Sequence, residues 1–487
     1  ESWRIKQLSV HKISQRRYQS DGVLPPDKKF MKNRPFAIKR APRDPMLSVT
    51  IFLVFASLLI FTVIPLFKIL IQSLTNLDEN LSIQAYIKTF TDKETFQALI
   101  NSLSLGCLCG VLSTIIGFLF AYCASYVKMR GKKIFNLIAM LPIISPPFSV
   151  ALSIILLFGS RGLITYTLLG MRNANIYGFQ GLLFAQILSY FPISYLVLNG
   201  ILNNIDPSIE EAARNMGASR WKTFKSVTLP LVLPGLANSF LLVFIKSVAD
   251  FGNPITIAGN FPTLATQIYF QAIGNYDIQG GTAVAILLLI ISMSLYALSK
   301  LLVEKRTFVT ITGKASRERV MIDEPHIAKP LSFGCLLISF IVIGLYILIP
   351  VVSLIKIWGL DYSLTLDNYK YAFAVGLDGL KDSTVLAIWA TPITGLLAMI
   401  ISYLVVRRNF TGKRAMEFTA MLGMTVPGTV MGIGYVLTFN TLPLILTGTG
   451  IIIVLSYVFR YLPIGVSSGA TSLKQIDPSI EEAAADL

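Results

Sequence analysis

Ile205-Asp206-Pro207-Ser208-Ile209-Glu210-Glu211-Ala212-Ala213 returns, residue for residue, as Ile476-Asp477-Pro478-Ser479-Ile480-Glu481-Glu482-Ala483-Ala484. Nine identical residues in succession mark an internal duplication. Each copy follows a long apolar run, so each is expected where a segment leaves a membrane. The chain therefore reads as two related halves.

Composition agrees. Of 487 residues, 54% are hydrophobic and 14% charged, too apolar for an ordinary soluble enzyme. Ten windows are long and apolar enough to cross a bilayer: 47–72, 98–127, 134–159, 181–203, 230–249, 281–303, 331–355, 383–406, 415–438 and 450–473. With the N-terminus inside, 31 of the 42 Lys and Arg fall on inner segments and 7 on outer ones, the bias that keeps basic loops in the cytoplasm. The net charge of +16 is thus a topology signal, and no basic face belongs to a soluble domain that could bind nucleic acid.

The duplication reaches beyond the nine residues. Gly131-Lys132-Lys133 and Gly412-Lys413-Arg414 stand 281 residues apart, as do Ala139-Met140-Leu141 and Ala420-Met421-Leu422, and Pro146 and Pro427. Tyr190-Phe191-Pro192 and Tyr461-Leu462-Pro463 stand 271 apart, like the long string. The second half has therefore lost ten residues, most simply from the outer loop near 161–179. Both copies of the string follow an inward-running span, so the repeats are parallel. The expected division is a basic cytoplasmic tail 1–45, a first half 46–303, a cytoplasmic linker 304–330 and a second half 331–487.

No catalytic constellation is visible. His11 and His326 form no cluster, and Cys107, Cys109, Cys123 and Cys335 lie inside apolar windows without metal-ligand spacing. No metal site and no catalytic residue is expected. No Gly-x-x-x-x-Gly-Lys-Ser/Thr loop exists, so ATP with its magnesium is expected on a partner chain and no cofactor on this one.

The repeated string has a mechanical reading. Asp206 suits an N-cap and Pro207 the first turn of a helix. Ala212 and Ala213 permit close approach of another surface, and Gly217 suits a left-handed helix end. A second short helix over 220–227, capped by Ser219, would complete an elbow on the cytoplasmic surface. Glu211-Ala212-Ala213, Gly217 six residues after Glu211, and Leu229-Pro230 at eighteen and nineteen after it resemble the EAA loop of ABC-importer permeases. The resemblance implies an all-α polytopic membrane protein of two parallel MetI-like halves in the bacterial inner membrane. It also implies a dimer of ABC ATPase subunits docked on the elbows and an extracytoplasmic substrate-binding protein delivering cargo. On it, Glu210, Glu211, Ala212, Ala213 and Gly217, with Glu481, Glu482, Ala483 and Ala484, are the ATPase-coupling residues. The second copy reaches Leu487 one residue short of the position matching Gly217, and two spans follow the first elbow. Ten spans are expected here and twelve in the complete protein.

The stretch Ala249-Asp250-Phe251-Gly252-Asn253-Pro254, with Gly259-Asn260-Phe261 and Ala265-Thr266-Gln267-Ile268-Tyr269, resembles fused permeases of ferric-iron importers, whose relatives carry thiamine and aminoethylphosphonate. That resemblance implies ferric iron as substrate, with phosphonate or thiamine as alternatives. Candidate pathway residues are Tyr190, Asp250, Asn253, Tyr457, Arg460 and Tyr461. Arg460, in the middle of an apolar window, is awkward beside a cation route and fits an anionic or chelated cargo better. Lys246 and Asp250, at i and i+4, are expected to pair. An ion-gradient-driven secondary transporter is the rival class, but it predicts mid-membrane acids, and every Asp and Glu falls in a loop or at a window's end.

Overall fold

The computed structural model describes residues 45–304 apart from 77, 79 and 130, then 320–477 and 479–480. The basic tail, most of the linker, and Glu481, Glu482, Ala483 and Ala484 lie outside the described residues. The chain divides into two compact units, Glu1–Leu53 and Val54–Leu487. Of the first, residues 45–53 are helical.

Among the described residues nine helices are long and apolar enough to cross a membrane, and a bent pair makes a tenth. They are Pro45–Ser73, Lys93–Tyr126, Pro147–Leu168, Phe179–Asn204, Arg220–Val248, Ile278–Leu302, Pro325–Ser353, Asp367–Arg407 and Gly450–Gln475, with Lys413–Thr425 and Gly428–Phe439 as the pair. Their outward residues, such as Phe340, Met399 and Trp389, are large, apolar and exposed, as a lipid-facing surface requires. A two-stranded antiparallel hairpin, Ile355–Ile357 with Asp361–Leu364, is the one sheet among the described residues.

The helix boundaries repeat with the sequence. Lys132–Ile144 and Pro147–Phe158 match Lys413–Thr425 and Gly428–Phe439 end for end, and Phe179–Asn204 matches Gly450–Gln475. Each copy opens on a glycine in the left-handed region, Gly131 at φ 75° and Gly412 at φ 93°. The ten missing residues fall between Phe439 and Gly450, where the first half has the extra turns Leu163–Leu168.

Two of the expected spans are broken. The window 134–159 divides at Ser145-Pro146 and the window 415–438 at Val426-Pro427, the latter with a bend of 113°. Proline lacks the N–H that would continue the helix and pushes the residue before it out of the helical region, so Ser145 and Val426 are extended. Pro142 sits inside Lys132–Ile144 without a break.

The halves exchange their first helices. The part of Pro45–Ser73 beyond Val54 packs on Gly428–Phe439 of the second half: the Tyr435 hydroxyl donates to the Phe61 carbonyl at 2.8 Å. A Cβ at Gly434 would meet the Pro65 carbonyl oxygen at 2.9 Å. Reciprocally, Pro325–Ser353 of the second half packs on Pro147–Phe158 of the first, with Ser153 Oγ donating to the Leu345 carbonyl at 2.8 Å. Ser153 and Gly434 are equivalent in the repeat. The larger apolar cores among the described residues lie around Phe191, Tyr195 and Leu198 and where Phe244 and Val248 mix with Val426 and Val430.

Candidate functional site

The first elbow is built as the sequence dictates at its start. Asp206 Oδ1 accepts the Ser208 N–H at 2.9 Å and caps Pro207–Asn215. Asp477 does the same for Ser479 at 3.0 Å, so the second copy opens identically. Gly217, at φ 88°, makes the turn that a residue with a Cβ resists. Ser219 Oγ then accepts the Lys222 N–H at 3.3 Å.

The second arm differs from the expectation. The helix beginning at Arg220 does not stop at 227 but runs on to Val248. A widened turn over Phe224–Thr228 carries the chain past Pro230 without ending the helix. The arm is thus the inner end of the span itself, and movement of the elbow is movement of that span.

Only part of the motif faces outward. Glu210 is buried, and its Oε1 accepts the Tyr126 hydroxyl at 2.8 Å and the Thr228 hydroxyl at 2.6 Å. Ala213 is buried as well. These two face the spans behind the elbow, so within the expected coupling set they are its inward-facing members. Ala212 is exposed and Glu211 half-buried. Ile209, Met216 and Trp221, unnoticed in the sequence, are exposed, Met216 by 82% and Trp221 by 71%. The seven-residue spacing of Ile209 and Met216, two helical turns, was the available signal for those two; Trp221 lies past the turn on the second arm.

The end of the linker is tied to the same place. Ile322 N–H donates to the Tyr126 carbonyl at 2.7 Å, and Lys128 N–H to the Ile322 carbonyl at 3.0 Å. Lys128 pairs with Asp323 and Arg220 with Glu324, both at 2.7 Å. Glu324, whose carboxyl backbone hydrogen bonding and Arg220 hold below the usual range, immediately precedes the helix Pro325–Ser353. A cleft lined by Tyr122, Tyr126, Glu210, Arg214 and Arg220 lies beneath the elbow.

The pathway candidates separate into two groups. Asp250, 6% exposed, accepts from Gln186 Nε2 at 3.0 Å and Asn253 Nδ2 at 2.8 Å, and Tyr190 lies against the same carboxylate. Asp250 therefore does not pair with Lys246. It ties the outer end of a span to the short helix Gly252–Ile257, and Tyr190, Asp250 and Asn253 gather in one buried cluster in which Asn253 Oδ1 has no hydrogen-bond partner. The loop expected over 250–280 is likewise folded inward, with Ser102 Oγ accepting the Leu264 N–H at 2.8 Å.

Tyr457, Arg460 and Tyr461 share the helix Gly450–Gln475. Tyr457 is 38% and Tyr461 54% exposed, and Arg460 is half-buried. The Arg460 guanidinium lies against Gly428, the first residue after the 113° break, where a Cβ would fall 2.2 Å from Nη1. Among the described residues, no group of three His, Cys, Asp or Glu is placed to hold a metal ion.

Residues 113–308 match the family described as binding-protein-dependent transport system inner membrane component. A molybdenum transport system permease, ModB of Escherichia coli, is 32% identical over 44% of this chain and 93% of its own. The chain belongs to that family. The ferric transport system permease FbpB of Actinobacillus pleuropneumoniae is 39% identical over 83% of this chain, which spans 63% of that relative's length. A solved chain of a bacterial alginate ABC transporter matches over 54% of this chain with 18% identity and a TM-score of 0.46. Membership makes the chain a multi-pass membrane component.

Proposed function

We propose that this chain is the membrane-spanning permease of an ATP-driven importer of ferric iron, with both halves lining the route and the elbows taking force from separate ATPase subunits. The observation that carries the coupling role is the elbow's construction. Its helix is capped at both ends, anchored from behind by Glu210, and joined by the turn at Gly217 to a second arm that runs on from Arg220 as a membrane span. A rigid lever of this kind transmits a push at its outer face directly to the span. Exposed Ile209, Ala212 and Met216 supply that face: two apolar side chains around a small residue, suited to a groove on a partner.

The ferric assignment rests on the relative matched over 83% of this chain, against 44% for the molybdenum permease. A binding protein would deliver cargo at the face opposite the basic loops, and the N-terminus would lie in the cytoplasm. ATP and its magnesium belong to the partner in this reading.

The test is association and uptake together. Ala212→Arg and Met216→Glu should each abolish co-purification of the ATPase subunit and iron uptake while the permease still inserts in the membrane. Glu211→Lys combined with Glu482→Lys should do the same by reversing charge at both elbows. Wild-type uptake and association in these variants would overturn the coupling assignment.

A further inference from the structure

We infer that Asp250 is a proton-binding site: its carboxyl is held as a neutral acid that donates its proton to Asn253 Oδ1, and this proton latches the outer end of a span to the short helix beside it. The inference goes beyond the import reading and depends on neither its cargo nor its ATPase.

Several elements close on this carboxyl. Asp250 follows the span Arg220–Val248 and is 6% exposed. Helix Phe179–Asn204 brings Gln186, whose Nε2 donates to Asp250 Oδ2 at 3.0 Å and to the Ser247 carbonyl at 3.2 Å. The short helix Gly252–Ile257 brings Asn253, which is fully buried. Its Nδ2 donates to Asp250 Oδ2 at 2.8 Å and its backbone N–H to Oδ1 at 3.3 Å. The titratable groups facing Asp250 are Tyr190, from Phe179–Asn204, and Cys109, from Lys93–Tyr126, a phenol and a thiol. Among the described residues no Lys, Arg or His pairs with it.

An ionised Asp250 leaves two faults in this packing. A buried carboxylate without a cation is among the costliest groups a fold can hold. The second fault is Asn253 Oδ1, which has no hydrogen-bond partner although the other end of its amide bonds the carboxyl. One proton on Asp250 Oδ1 removes both. The charge disappears, and the new O–H donates to the orphaned carbonyl, so that acid and amide exchange two hydrogen bonds. Turning the amide over does not rescue the ion. It would set Asn253 Oδ1 against Asp250 Oδ2, two acceptors face to face, and again only a proton between them makes a bond. Gln186 cannot turn to help, because its Oε1 accepts the Ser247 hydroxyl and its Nε2 serves the Ser247 carbonyl. Burial likewise pushes the Asp250 carboxyl above its ordinary value near 3.8.

The proton's position gives it a mechanical role. Gly252 lies at the break in the first half, where a Cβ would stand 3.7 Å from Pro147 Cβ. The far end of the short helix is tied as well, with the Gly178 N–H donating to the Ile257 carbonyl at 3.0 Å. Neutral Asp250 therefore seats the short helix between the span behind it and the broken helix, and loss of the proton puts an uncompensated charge into that joint. Since the folded value is raised above the unfolded one, the stabilisation is full below pH near 3.8 and is lost as pH rises through the folded value.

The experiment uses the full-length permease with its ATPase in lipid nanodiscs, its aspartate carboxyls labelled with carbon-13. Infrared spectra at pH 7 should show the isotope-shifted carbonyl band of one neutral carboxylic acid, absent from Asp250→Asn. Raising the pH should erase the band and lower the wild-type melting temperature by several degrees. Asp250→Asn, whose side-chain amide donates to Asn253 Oδ1 at any pH, should hold its melting temperature over the same range. No acid band in the wild type, or a band that persists in Asp250→Asn, would overturn the inference. If that variant does not accumulate, Gln186→Leu decides. It removes a donor to the ionised form, so the band should survive to higher pH, and an unmoved titration overturns the site. Binding of sodium-22 or rubidium-86 at pH 7 that Gln186→Leu or Asp250→Asn abolishes would also overturn it, since a metal ion would then neutralise the carboxylate.

Discussion

Glu210 and Glu211 are neighbours with opposite tasks, and the sequence does not distinguish them. The helical period turns Glu210 inward onto Tyr126 and Thr228 and leaves Glu211 at the edge. Leucine at 210 would strand two buried hydroxyls, a cost of about 1–3 kcal/mol for each unsatisfied group. Glu210→Leu should therefore lower the melting temperature of the purified permease measurably, whereas Ala212→Ser should not; equal melting temperatures would contradict the anchor. Asp206 provides a second check. The Ser208 backbone N–H holds its carboxyl below the ordinary range, so its stabilising contribution is present above the unfolded value near 3.8. That contribution is lost only as pH falls through the still lower folded value. ATPase association of the wild type should accordingly be insensitive to acidification from pH 7 to pH 5. A loss of association at pH 5 that Asp206→Asn abolishes would contradict this. Arg460 was singled out by its charge in an apolar run, but Gly428 was not, because only the close approach of the two helices gives that glycine a role.

At the scale of elements, prolines and glycines made the breaks legible and packing decided their form. Pro146 and Pro427 had to interrupt their helices, yet a 113° bend follows from what the two pieces rest on, not from proline alone. The same distinction explains Pro230, which reads as a helix boundary but lies within a continuous span. The linker is the element whose attachment sequence reasoning missed, since Arg220 and Glu324 are 104 residues apart. That pair is partly exposed, 31% and 39%, so its effect on global stability is within about 1 kcal/mol. Its local effect should be larger. Arg220→Ala is expected to speed protease cleavage at residues 320–324 several-fold without changing membrane insertion; an unchanged cleavage rate would show that the backbone bonds to Tyr126 and Lys128 suffice. Topology is tested at Asn260, which is exposed. A cysteine there should react with an impermeant thiol reagent in intact cells, and labelling only after the membrane is opened would reverse the orientation.

At the scale of the whole molecule, the two halves hold each other through their exchanged first helices. Gly434 lets the Pro65 carbonyl approach to within van der Waals contact of the backbone. Gly434→Val should force that helix outward and lower thermal stability by several degrees, while valine at Gly432, which faces open space, should be tolerated. Equal stability of the two variants would mean that the exchange contributes little. The sequence by itself determined the membrane class, the duplication, the ten spans, the offset of ten residues and the elbow's caps, because these depend on apolar length, helical period and local hydrogen-bonding chemistry. Tertiary structure alone decided which motif residues face outward and which half each first helix joins. It also decided that Asp250 turns to Gln186 and Asn253. Those outcomes depend on contacts between residues far apart in the chain, and no periodicity within a single segment encodes them.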